Sequence, residues 1–360
     1  MEHCFDAAVI GCGRMGAFAS ETMIAHGPPC WLPLSHAEAI LSHPRLKLKA
    51  LCDISLEALN RAGEKFGVQR RYANPSDLLK AEKPALLGVA TRTFGRAALI
   101  REAVDSGTRA IHAEKPLCNS MAELEKLRTL FASKELFVTW GAIRRHLDVY
   151  RQALALARSG RYGALREVRV TFGSAPLYWT HSHSVDLLLF AASGRRVAGV
   201  HAVLDNVVRD GPATSVTSDP RVISASVHFE GGLVGHITQA LGHDFILSCE
   251  RGEITVRANG AGLDIYSVKG GGVYASFADL ELAPVERPQG ALSPIRQLVC
   301  CLEGEEKSIH ENALLKQDIL DAQLITFAML QSHIQESKII NIGSVDPNII
   351  IFAKTAGRYA

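Results

Sequence analysis

The feature that most constrains the fold is a glycine-rich loop that directly follows the first apolar segment of the chain. Ala7–Ile10 is typical of a buried strand, and it continues into Gly11-Cys12-Gly13-Arg14-Met15-Gly16 and a helical pattern over Ala17–Ile24. In a strand-to-helix turn, the first glycine allows a tight bend, the second lets backbone N–H groups approach a pyrophosphate, and the third allows the helix to pack closely on the strand. The sequence therefore predicts a dinucleotide site at Gly11, Gly13 and Gly16, with Arg14 and Met15 as further contacts.

An acidic residue at the end of the second strand is the expected partner of such a loop. Asp53 follows the predicted strand Leu46–Cys52, where a carboxylate can bind the adenosine ribose hydroxyls and repel a 2′-phosphate. It lies further from the loop than the usual distance of about 20 residues, and an inserted segment, residues 26–33, accounts for most of the excess. The competing use of Asp53 is as the N-cap of a helix that starts near Ser55. We expect NAD as the cofactor in preference to NADP.

Two patterns of secondary structure predict two domains. Up to about Trp140, short apolar runs alternate with helical patterns, which is typical of βαβ units in a doubly wound parallel sheet. The strands predicted there are Ala7–Ile10, Leu46–Cys52, Ala85–Ala90, Arg109–Ala113 and Leu136–Trp140. After a helix over Val149–Ser159, alternating segments follow one another without helices between them, which predicts an antiparallel sheet. Its predicted strands are Glu167–Phe172, Val200–Val208, Val222–Phe229, Leu233–Gln239, Ile254–Arg257 and Leu263–Val268, with a hairpin turn at residues 230–232.

The predicted fold class is therefore α/β, with a parallel doubly wound sheet and a second α+β domain that contains a large open, mostly antiparallel sheet. The boundaries are 1–142 for the dinucleotide-binding domain, 143–345 for the substrate-binding and oligomerisation domain, and 346–360 for a tail. A long helix is expected from about Glu311 to Gln335. We expect the apolar segment Ile349–Phe352 of the tail to pack on a neighbouring subunit.

Composition narrows the range of partners. The chain has 39 lysines and arginines against 37 aspartates and glutamates, so no net charge favours nucleic acid or an anionic membrane. No apolar segment reaches the roughly 18 residues of a membrane span. The eight cysteines lack the spacing of a metal site, and we predict no metal. The expectation is a soluble cytoplasmic protein with a small-molecule partner.

The segment after the fourth predicted strand, Glu114-Lys115-Pro116, adds a motif that narrows the family. Together with the glycine loop and Asp53, it resembles the Gfo/Idh/MocA family of glucose–fructose oxidoreductases and inositol dehydrogenases. The resemblance implies a Rossmann domain, an open antiparallel sheet, and sugars, cyclitols or sugar nucleotides as substrates. A homodimer or homotetramer formed through the open sheet face is also expected.

The resemblance also implies roles for residues at the ends of the strands. By position, Lys115 contacts both the nicotinamide ribose and the substrate hydroxyl, which makes it a catalytic residue as well as a cofactor ligand. Glu114 of the same motif is a predicted cofactor contact. Thr91 follows the third predicted strand and lies where the family's backbone runs along the cofactor. Arg96 stands where the family usually has a histidine.

The second family signature lies on a helix. In Trp179-Thr180-His181-Ser182-His183-Ser184-Val185-Asp186, His183 matches the acid/base position and Asp186 a supporting position. Trp179 stands where the family commonly has an aspartate, four residues before His183 and on the same predicted helix face. Either His183 works without that carboxylate, or His181 or Tyr178 takes part of its role, or the site is not a standard dehydrogenase site.

Further substrate contacts are predicted at Trp179, which can stack on a sugar ring or belong to the core, and at Arg144. Arg144 and Arg145 at the domain junction can bind an anionic substrate group or form surface salt bridges.

The predicted function is NAD-dependent hydride transfer between the nicotinamide and a secondary hydroxyl or keto group of a sugar, cyclitol or sugar nucleotide. Two alternatives remain open. One is redox-neutral, NAD-assisted glycoside cleavage, and the other is a non-catalytic sugar- or nucleotide-sensing regulator on the same scaffold.

Overall fold

The computed structural model describes residues 4–211, 214–268, 275–277 and 288–353. Within them the chain divides into two compact units. The first contains residues 4–143 and 288–320, and the second contains residues 144–277, as far as they are described, and residues 321–353. The predicted second domain, 143–345, therefore differs from the second unit. Residues 288–320 belong to the first unit because the helix Leu292–Leu302 packs on two of that unit's strands.

A six-stranded parallel sheet forms the centre of the first unit, in the order β3-β2-β1-β4-β5-β6. The strands are β1 (Phe5–Ile10), β2 (Leu46–Cys52), β3 (Arg70–Tyr72), β4 (Leu86–Val89), β5 (Ala110–Ala113) and β6 (Phe137–Trp140). The predicted doubly wound sheet is confirmed. β3 was not predicted, because its three residues, two arginines and a tyrosine, contain no apolar run.

Helices cover the sheet of the first unit. They are α1 (Glu21–His26), α2 (His36–Leu41), α3 (Leu56–Phe66), α4 (Pro75–Glu82), α5 (Arg96–Asp105), α6 (Met121–Phe131), α9 (Leu292–Leu302) and the first part of α10 (Glu306–Ile334). Buried side chains of β1 and β2, such as Val9 and Leu51, belong to one core cluster with Ile295 and Leu298 of α9. This shared core explains why a segment from late in the chain belongs to the N-terminal unit.

The helix predicted over Ala17–Ile24 is interrupted in the structure. Ala17 and Phe18 close a single turn by donating to the carbonyl of Gly13, and α1 begins only at Glu21. The backbone N–H groups of His36 and Ala37 then donate to the carbonyls of Met15 and Gly16 at 2.9 Å. Those bonds join residues 21 apart, whereas an α-helix joins residues about four apart. Thus α2 continues the helix that the glycine loop begins. Residues 19–35, which lie between the two parts of this helix, form a loop that we call the excursion.

The excursion accounts for the late position of Asp53. Its length, about 17 residues, follows from those two bonds and brings Asp53 back to about 20 residues after the loop once it is discounted. The excursion is therefore longer than the inserted segment predicted at residues 26–33. Its far end is fixed by backbone bonds just before α9, since Gln289, Gly290 and Ala291 donate to the carbonyls of Leu32, Cys30 and Pro33.

The edge strand β6 is closed by side chains of α10. Asn312 is fully buried, and its amide accepts from the backbone N–H of Val138 at 3.0 Å and donates to the carbonyl of the same residue at 2.9 Å. The ammonium of Lys316 donates to the carbonyls of Ser133 and Leu136 at 2.7 and 2.9 Å. These bonds replace a neighbouring strand, which protects an edge that would otherwise expose unpaired backbone groups.

A nine-stranded sheet forms the centre of the second unit, in the order β15-β14-β13-β12-β7-β11-β10-β8-β16. The pair β7–β11 is parallel and the other pairs are antiparallel. The strands are β7 (Leu165–Phe172), β8 (Val197–Asp205), β10 (Arg221–Phe229), β11 (Val234–Thr238), β12 (Leu241–Cys249), β13 (Gly252–Arg257), β14 (Gly262–Val268), β15 (Ala275–Phe277) and β16 (Ile340–Asn341). The predicted large, mostly antiparallel sheet and the hairpin between β10 and β11 are confirmed. β12 was missed because it begins Leu-Gly-His-Asp, which interrupts the apolar alternation.

Two further helices, α7 (Asp148–Arg158) and α8 (His181–Ala192), complete the second unit, together with the later part of α10. Part of the apolar tail segment packs within its own chain. Ile350–Ile351 form the short strand β17, which pairs in parallel with β9 (Ser215–Val216), and Ile349 and Ile351 are fully buried in their own chain. These two residues are therefore not available to a neighbouring subunit, whereas Phe352 is 43% exposed, and the subunit contact stays a prediction. Residues 354–360 of the predicted tail lie outside the described residues.

Among the helices that the structure describes, none combines the length and the apolar character needed to cross a bilayer, including the 29-residue α10.

Replacing Asn312 with alanine tests the closure of β6. The variant leaves the N–H and the carbonyl of Val138 buried without partners, so the free energy of unfolding is expected to fall by about 2–4 kcal/mol. Asn60→Ala, in the exposed part of α3, is the matched control and should change stability by less than about 1 kcal/mol. Urea denaturation measures both, and equal effects of the two substitutions would contradict this role of Asn312.

Candidate active site

The glycine loop has the geometry of a phosphate cradle. A β-carbon on Gly16 would lie 1.7 Å from the carbonyl oxygen of Gly11, and one on Gly11 would lie 2.6 Å from the carbonyl carbon of Ala90. These two glycines are therefore required by the packing of the protein itself. A β-carbon on Gly13 would meet no atom of the described residues within 4 Å. The space above Gly13 is open, and it is the space into which a pyrophosphate would fit.

The backbone donors of the loop point to the same use. Within the described part of the chain, the N–H groups of residues 13–16 donate to no acceptor. They open the helix that α2 continues, so the positive end of that helix faces the loop. Successive N–H groups at a helix start form a site for an anion, and the residues present fit the pyrophosphate of a dinucleotide.

Asp53 links the end of β2 to the glycine loop. Its carboxylate accepts from the backbone N–H of Cys12 at 2.6 Å through Oδ2 and from that of Ser55 at 2.8 Å through Oδ1. The N-cap of α3 is Ser55, whose hydroxyl accepts from the N–H of Ala58, so the competing capping role belongs to Ser55. Each carboxylate oxygen has a second lone pair, and Asp53 is half-buried at the edge of the sheet. It can therefore also accept from ribose hydroxyls.

Thr91 and Arg14 also lie at this edge. The N–H of Thr91 would be 2.9 Å from a β-carbon on Gly11, which shows how closely the end of β4 approaches the loop. Among the described residues, the buried Thr91 hydroxyl and the buried Nε of Arg14 have no hydrogen-bond partner. Unpartnered buried polar atoms beside an open cradle are consistent with a polar ligand there.

Glu114 and Lys115 follow β5 at the same edge and are both buried, with Lys115 only 8% exposed. A carboxylate oxygen of Glu114 lies 3.3 Å from Nε2 of His36 on α2. The His36 ring packs against that of His112 with centroids 4.5 Å apart, and Nδ1 of His112 lies 2.9 Å from the hydroxyl of Thr139 on β6. The predicted motif thus belongs to a buried polar cluster that includes two histidines the sequence reasoning had not assigned.

Electrostatics fixes the charge of this cluster. Burial by itself raises the pKa of the Glu114 carboxyl, but the hydrogen bond with His36 and the charges of His36 and Lys115 outweigh it and lower the pKa to about 2. Burial, aided by the neighbouring His36, lowers the pKa of His112 to about 3. At neutral pH the cluster therefore holds an ionised carboxylate directly beside Lys115 and a neutral His112.

The remaining predicted residues lie in the second unit. His183 is the third residue of α8 and is half-buried. His181 is fully buried, its Nδ1 lies 3.0 Å from the Ser184 hydroxyl, and burial lowers its pKa to about 4. A fully buried imidazole with a low pKa is poorly placed to exchange protons with a ligand. His183 is therefore the better candidate for proton exchange.

Asp186 has an identifiable partner. Its Oδ2 accepts from Nε of Arg145 at 2.9 Å, and its backbone carbonyl accepts from Nη2 of the same arginine, with both side chains buried. Arg145 is thus part of a buried ion pair with α8 inside the second unit, rather than the surface salt bridge that was one of its predicted uses.

Trp179 is not on the helix. Since α8 begins at His181, Trp179 lies in the preceding turn, and the expectation that it shares a helix face with His183 was wrong. The turn is fixed by Asp219, whose two carboxylate oxygens accept from the N–H groups of Tyr178 and Trp179 at 2.7 and 3.0 Å. Asp219 was missed because it is about 40 residues away in sequence and reaches the turn from the segment before β10.

Arg144 is buried in a polar and aromatic setting. Its guanidinium donates to the amide oxygen of Asn259 at 2.8 and 3.2 Å and lies 4.7 Å from the centre of the Phe172 ring. Burial lowers its pKa. Ala258, next to Asn259, has a φ of 44°, in the left-handed region that alanine rarely adopts. Strained backbone of this kind often occurs at ligand sites. The role of Arg144 in substrate binding stays a prediction.

Known proteins are similar to this chain in two ways: in sequence over part of the chain, and in fold over nearly all of it. The model of an oxidoreductase family with an NAD-binding Rossmann fold matches residues 5–142. A D-apiose dehydrogenase of Paraburkholderia graminis is 30% identical over 119 residues, which are 33% of this chain and 27% of that protein, so the match spans about a quarter of that relative's length.

Two solved structures extend the similarity of the fold to nearly the full chain. One is an aldose-aldose oxidoreductase of Caulobacter crescentus, with a TM-score of 0.71 and 17% identity over 94% of this chain and 100% of that one. The other is an inositol dehydrogenase homologue of Azotobacter vinelandii complexed with NADH and myo-inositol, with a TM-score of 0.69 and 17% identity over 94% of this chain and 98% of that one.

Two glycine substitutions separate ligand binding from folding. Gly13→Ala adds a methyl group to open space, so the free energy of unfolding should change by less than about 1 kcal/mol. The same methyl group occupies the space for the pyrophosphate, so NAD affinity should fall about tenfold or more. Gly16→Ala is the matched control, because its methyl group collides with the Gly11 carbonyl and should destabilise the fold itself. Thermal unfolding and NAD titration measure both effects. Unchanged NAD affinity in Gly13→Ala would show that the pyrophosphate does not bind in the space above Gly13.

The low pKa of His112 predicts a dependence of stability on pH. In the unfolded chain His112 takes up a proton near pH 6.5, whereas in the folded protein it does so only near pH 3, so stability is lost as pH falls through this window. In His112→Gln the slope of unfolding free energy against pH between 6 and 4 should be smaller by about 1.4 kcal/mol per pH unit. Urea denaturation at several pH values measures it, and identical slopes in the two proteins would exclude the buried neutral state.

Proposed function

We propose that the protein is an NAD-dependent dehydrogenase of sugars or related polyols, because residues 5–142 match the model of an oxidoreductase family with an NAD-binding Rossmann fold. The reaction is hydride transfer between the nicotinamide and a secondary hydroxyl or keto group of a sugar, cyclitol or sugar nucleotide. The observation that carries the proposal is the burial of Glu114 and Lys115 at the carboxyl end of β5, two strands from the open glycine cradle.

The chemistry assigned to Lys115 follows from its charge and surroundings. An ammonium beside a carbinol oxygen stabilises the negative charge that develops there as hydride leaves the carbon. The charge of Lys115 helps to lower the pKa of the neighbouring Glu114 carboxyl, so an ionised carboxylate lies beside this lysine in a buried site. When bound, NAD supplies the nicotinamide ring that accepts the hydride.

His183 is the proposed acid/base group of the second unit. An imidazole titrates near neutral pH, which suits exchange of the hydroxyl proton in both directions of the reaction. The alternative that His181 takes this role is disfavoured by its complete burial and by its low pKa. Asp186 contributes to the position of α8 through its ion pair with Arg145.

The choice of cofactor and substrate rests on two kinds of support. Asp53 favours NAD over NADP, because its carboxylate at the end of β2 would repel a 2′-phosphate. The sugar or polyol class is supported by what the named relatives are, a D-apiose dehydrogenase and an inositol dehydrogenase homologue with bound myo-inositol. A homo-oligomer formed through the open sheet of the second unit is part of the same proposal.

The decisive experiment combines binding with a substrate screen. NAD and NADP are titrated against the purified protein, and sugars, cyclitols and sugar nucleotides are screened for formation of reduced nicotinamide. Net NADH formation supports the dehydrogenase. Glycoside cleavage with no net reduction of a retained NAD would indicate the redox-neutral reaction. Binding of NAD and of a sugar without any turnover would indicate a sensing protein.

Lys115→Met tests the catalytic assignment. Without the ammonium the developing alkoxide loses its stabilising charge, so turnover should fall by about 10²–10⁴-fold while the protein still folds. Lys126→Met, an exposed lysine on α6, is the matched control and should keep full activity. The initial rate of NADH formation is the measurement, and thermal unfolding of both variants shows whether they are folded. Activity of Lys115→Met within a few-fold of the wild type would show that this lysine is not catalytic.

A further inference from the structure

We propose that Arg96 is a positioning residue that fixes Lys115 and the adjoining end of β4 for the nicotinamide half of the cofactor. The inference rests on the proposed function, because it assigns Arg96 to the same site. Arg96 stands at the start of α5 and has a side chain that is only 2% exposed. It is neither a predicted site residue nor part of the mechanism above.

The guanidinium of Arg96 joins two separate segments of the edge. Nη1 donates to the carbonyl of Glu114 at 2.7 Å and also to the carbonyl of Pro116. Nη2 donates to the carbonyl of Thr91, in the segment that follows β4. The two carbonyls on either side of Lys115 are therefore held by one nitrogen, and the same side chain holds Thr91.

These bonds begin where the hydrogen bonds of the sheet stop. The last bond between β4 and β5 in this direction is donated by the N–H of Glu114 to the carbonyl of Val89. Beyond it, the backbone that carries Lys115 has left the sheet. Arg96 continues the connection from β5 to β4 through a side chain, so the position of Lys115 depends on the guanidinium.

Arginine suits this role and lysine does not. A guanidinium is planar and carries several N–H donors in a fixed arrangement, so one side chain can hold three carbonyls in a defined geometry. A lysine ammonium at the same place keeps the charge, but its single nitrogen cannot reproduce bonds that come from Nη1 and Nη2. The substitution Arg96→Lys therefore separates geometry from charge.

Strand order limits the effect to one half of the dinucleotide. Asp53 follows β2, on one side of β1, whereas Thr91 and Lys115 follow β4 and β5 on its other side. A pyrophosphate bound over the end of β1 would place the adenosine toward β2 and the nicotinamide toward β4 and β5. A residue that positions Thr91 and Lys115 should therefore affect binding of the nicotinamide half and not of the adenosine half.

The test compares two ligands on one variant. ADP contains the adenosine and the pyrophosphate, and NADH contains the nicotinamide half as well. In Arg96→Lys, NADH affinity should fall by about tenfold or more while ADP affinity stays within about twofold of the wild type. Arg101→Lys, an exposed arginine on the same helix, is the matched control and should change neither affinity. Calorimetric titration gives both constants.

A second variant adds a chemical rescue. Arg96→Ala should lose NADH affinity in the same selective way, and added guanidinium ion should restore it where methylammonium does not, because only the planar cation can donate to the separate carbonyls. Loss of both ligands in the two variants would show a general structural role and overturn the inference, as would unchanged NADH affinity. A wild-type protein that binds neither ligand would instead overturn the proposed function.

Discussion

The close approach of Gly16 to the carbonyl of Gly11 is the contact on which the first unit's functional edge depends. A β-carbon at position 16 would lie 1.7 Å from the carbonyl oxygen of Gly11, so only glycine allows the helix to start this close to the end of β1. With that proximity, the N–H groups of residues 13–16 donate to no acceptor of the described residues, and Asp53 accepts from the N–H of Cys12. The backbone of this edge is therefore determined by steric contacts, and the charged side chains bind to that backbone.

In each unit a buried carboxylate has partners within the same unit. Ionised Glu114 is paired with His36 and lies beside Lys115, and Asp186 is paired with Arg145. Removing one member of such a pair leaves an uncompensated charge and costs about 3–5 kcal/mol, far more than an exposed pair contributes. The same groups that support the proposed chemistry therefore also hold the local structure. Variants at these positions need a measurement of folding beside every measurement of activity.

The parts of the molecule that the sequence predicts are those encoded by contiguous residues. The glycine loop, Asp53 after β2 and the apolar strands each depend on a short local pattern, and they are found where that pattern indicates. β3 and β12 were missed because polar or glycine-containing starts hide the apolar signal, and tertiary pairing alone makes them strands.

The contacts that refine the site depend on the fold and were not accessible in the same way. His36 meets Glu114 across 78 residues of sequence, and Asp219 meets the turn at Trp179 across 40. No spacing rule links such positions. The predicted start of the helix was too early for a simpler reason. A turn in near-helical conformation precedes α8, so the residue pattern alone extends the helix beyond its true start at His181.

The interrupted helix after the glycine loop has a consequence for how this domain can vary. The bonds from His36 to Met15 and from Ala37 to Gly16 bring the two ends of the excursion to neighbouring turns of one helix. An insert whose ends meet in this way can change in length or sequence while the register of the flanking helix is conserved, and lengthening a loop adds little entropic cost. Changes in the excursion therefore leave the backbone of the glycine loop unaltered. The excursion is a place where this fold can acquire new surface without altering the glycine turn at the end of β1.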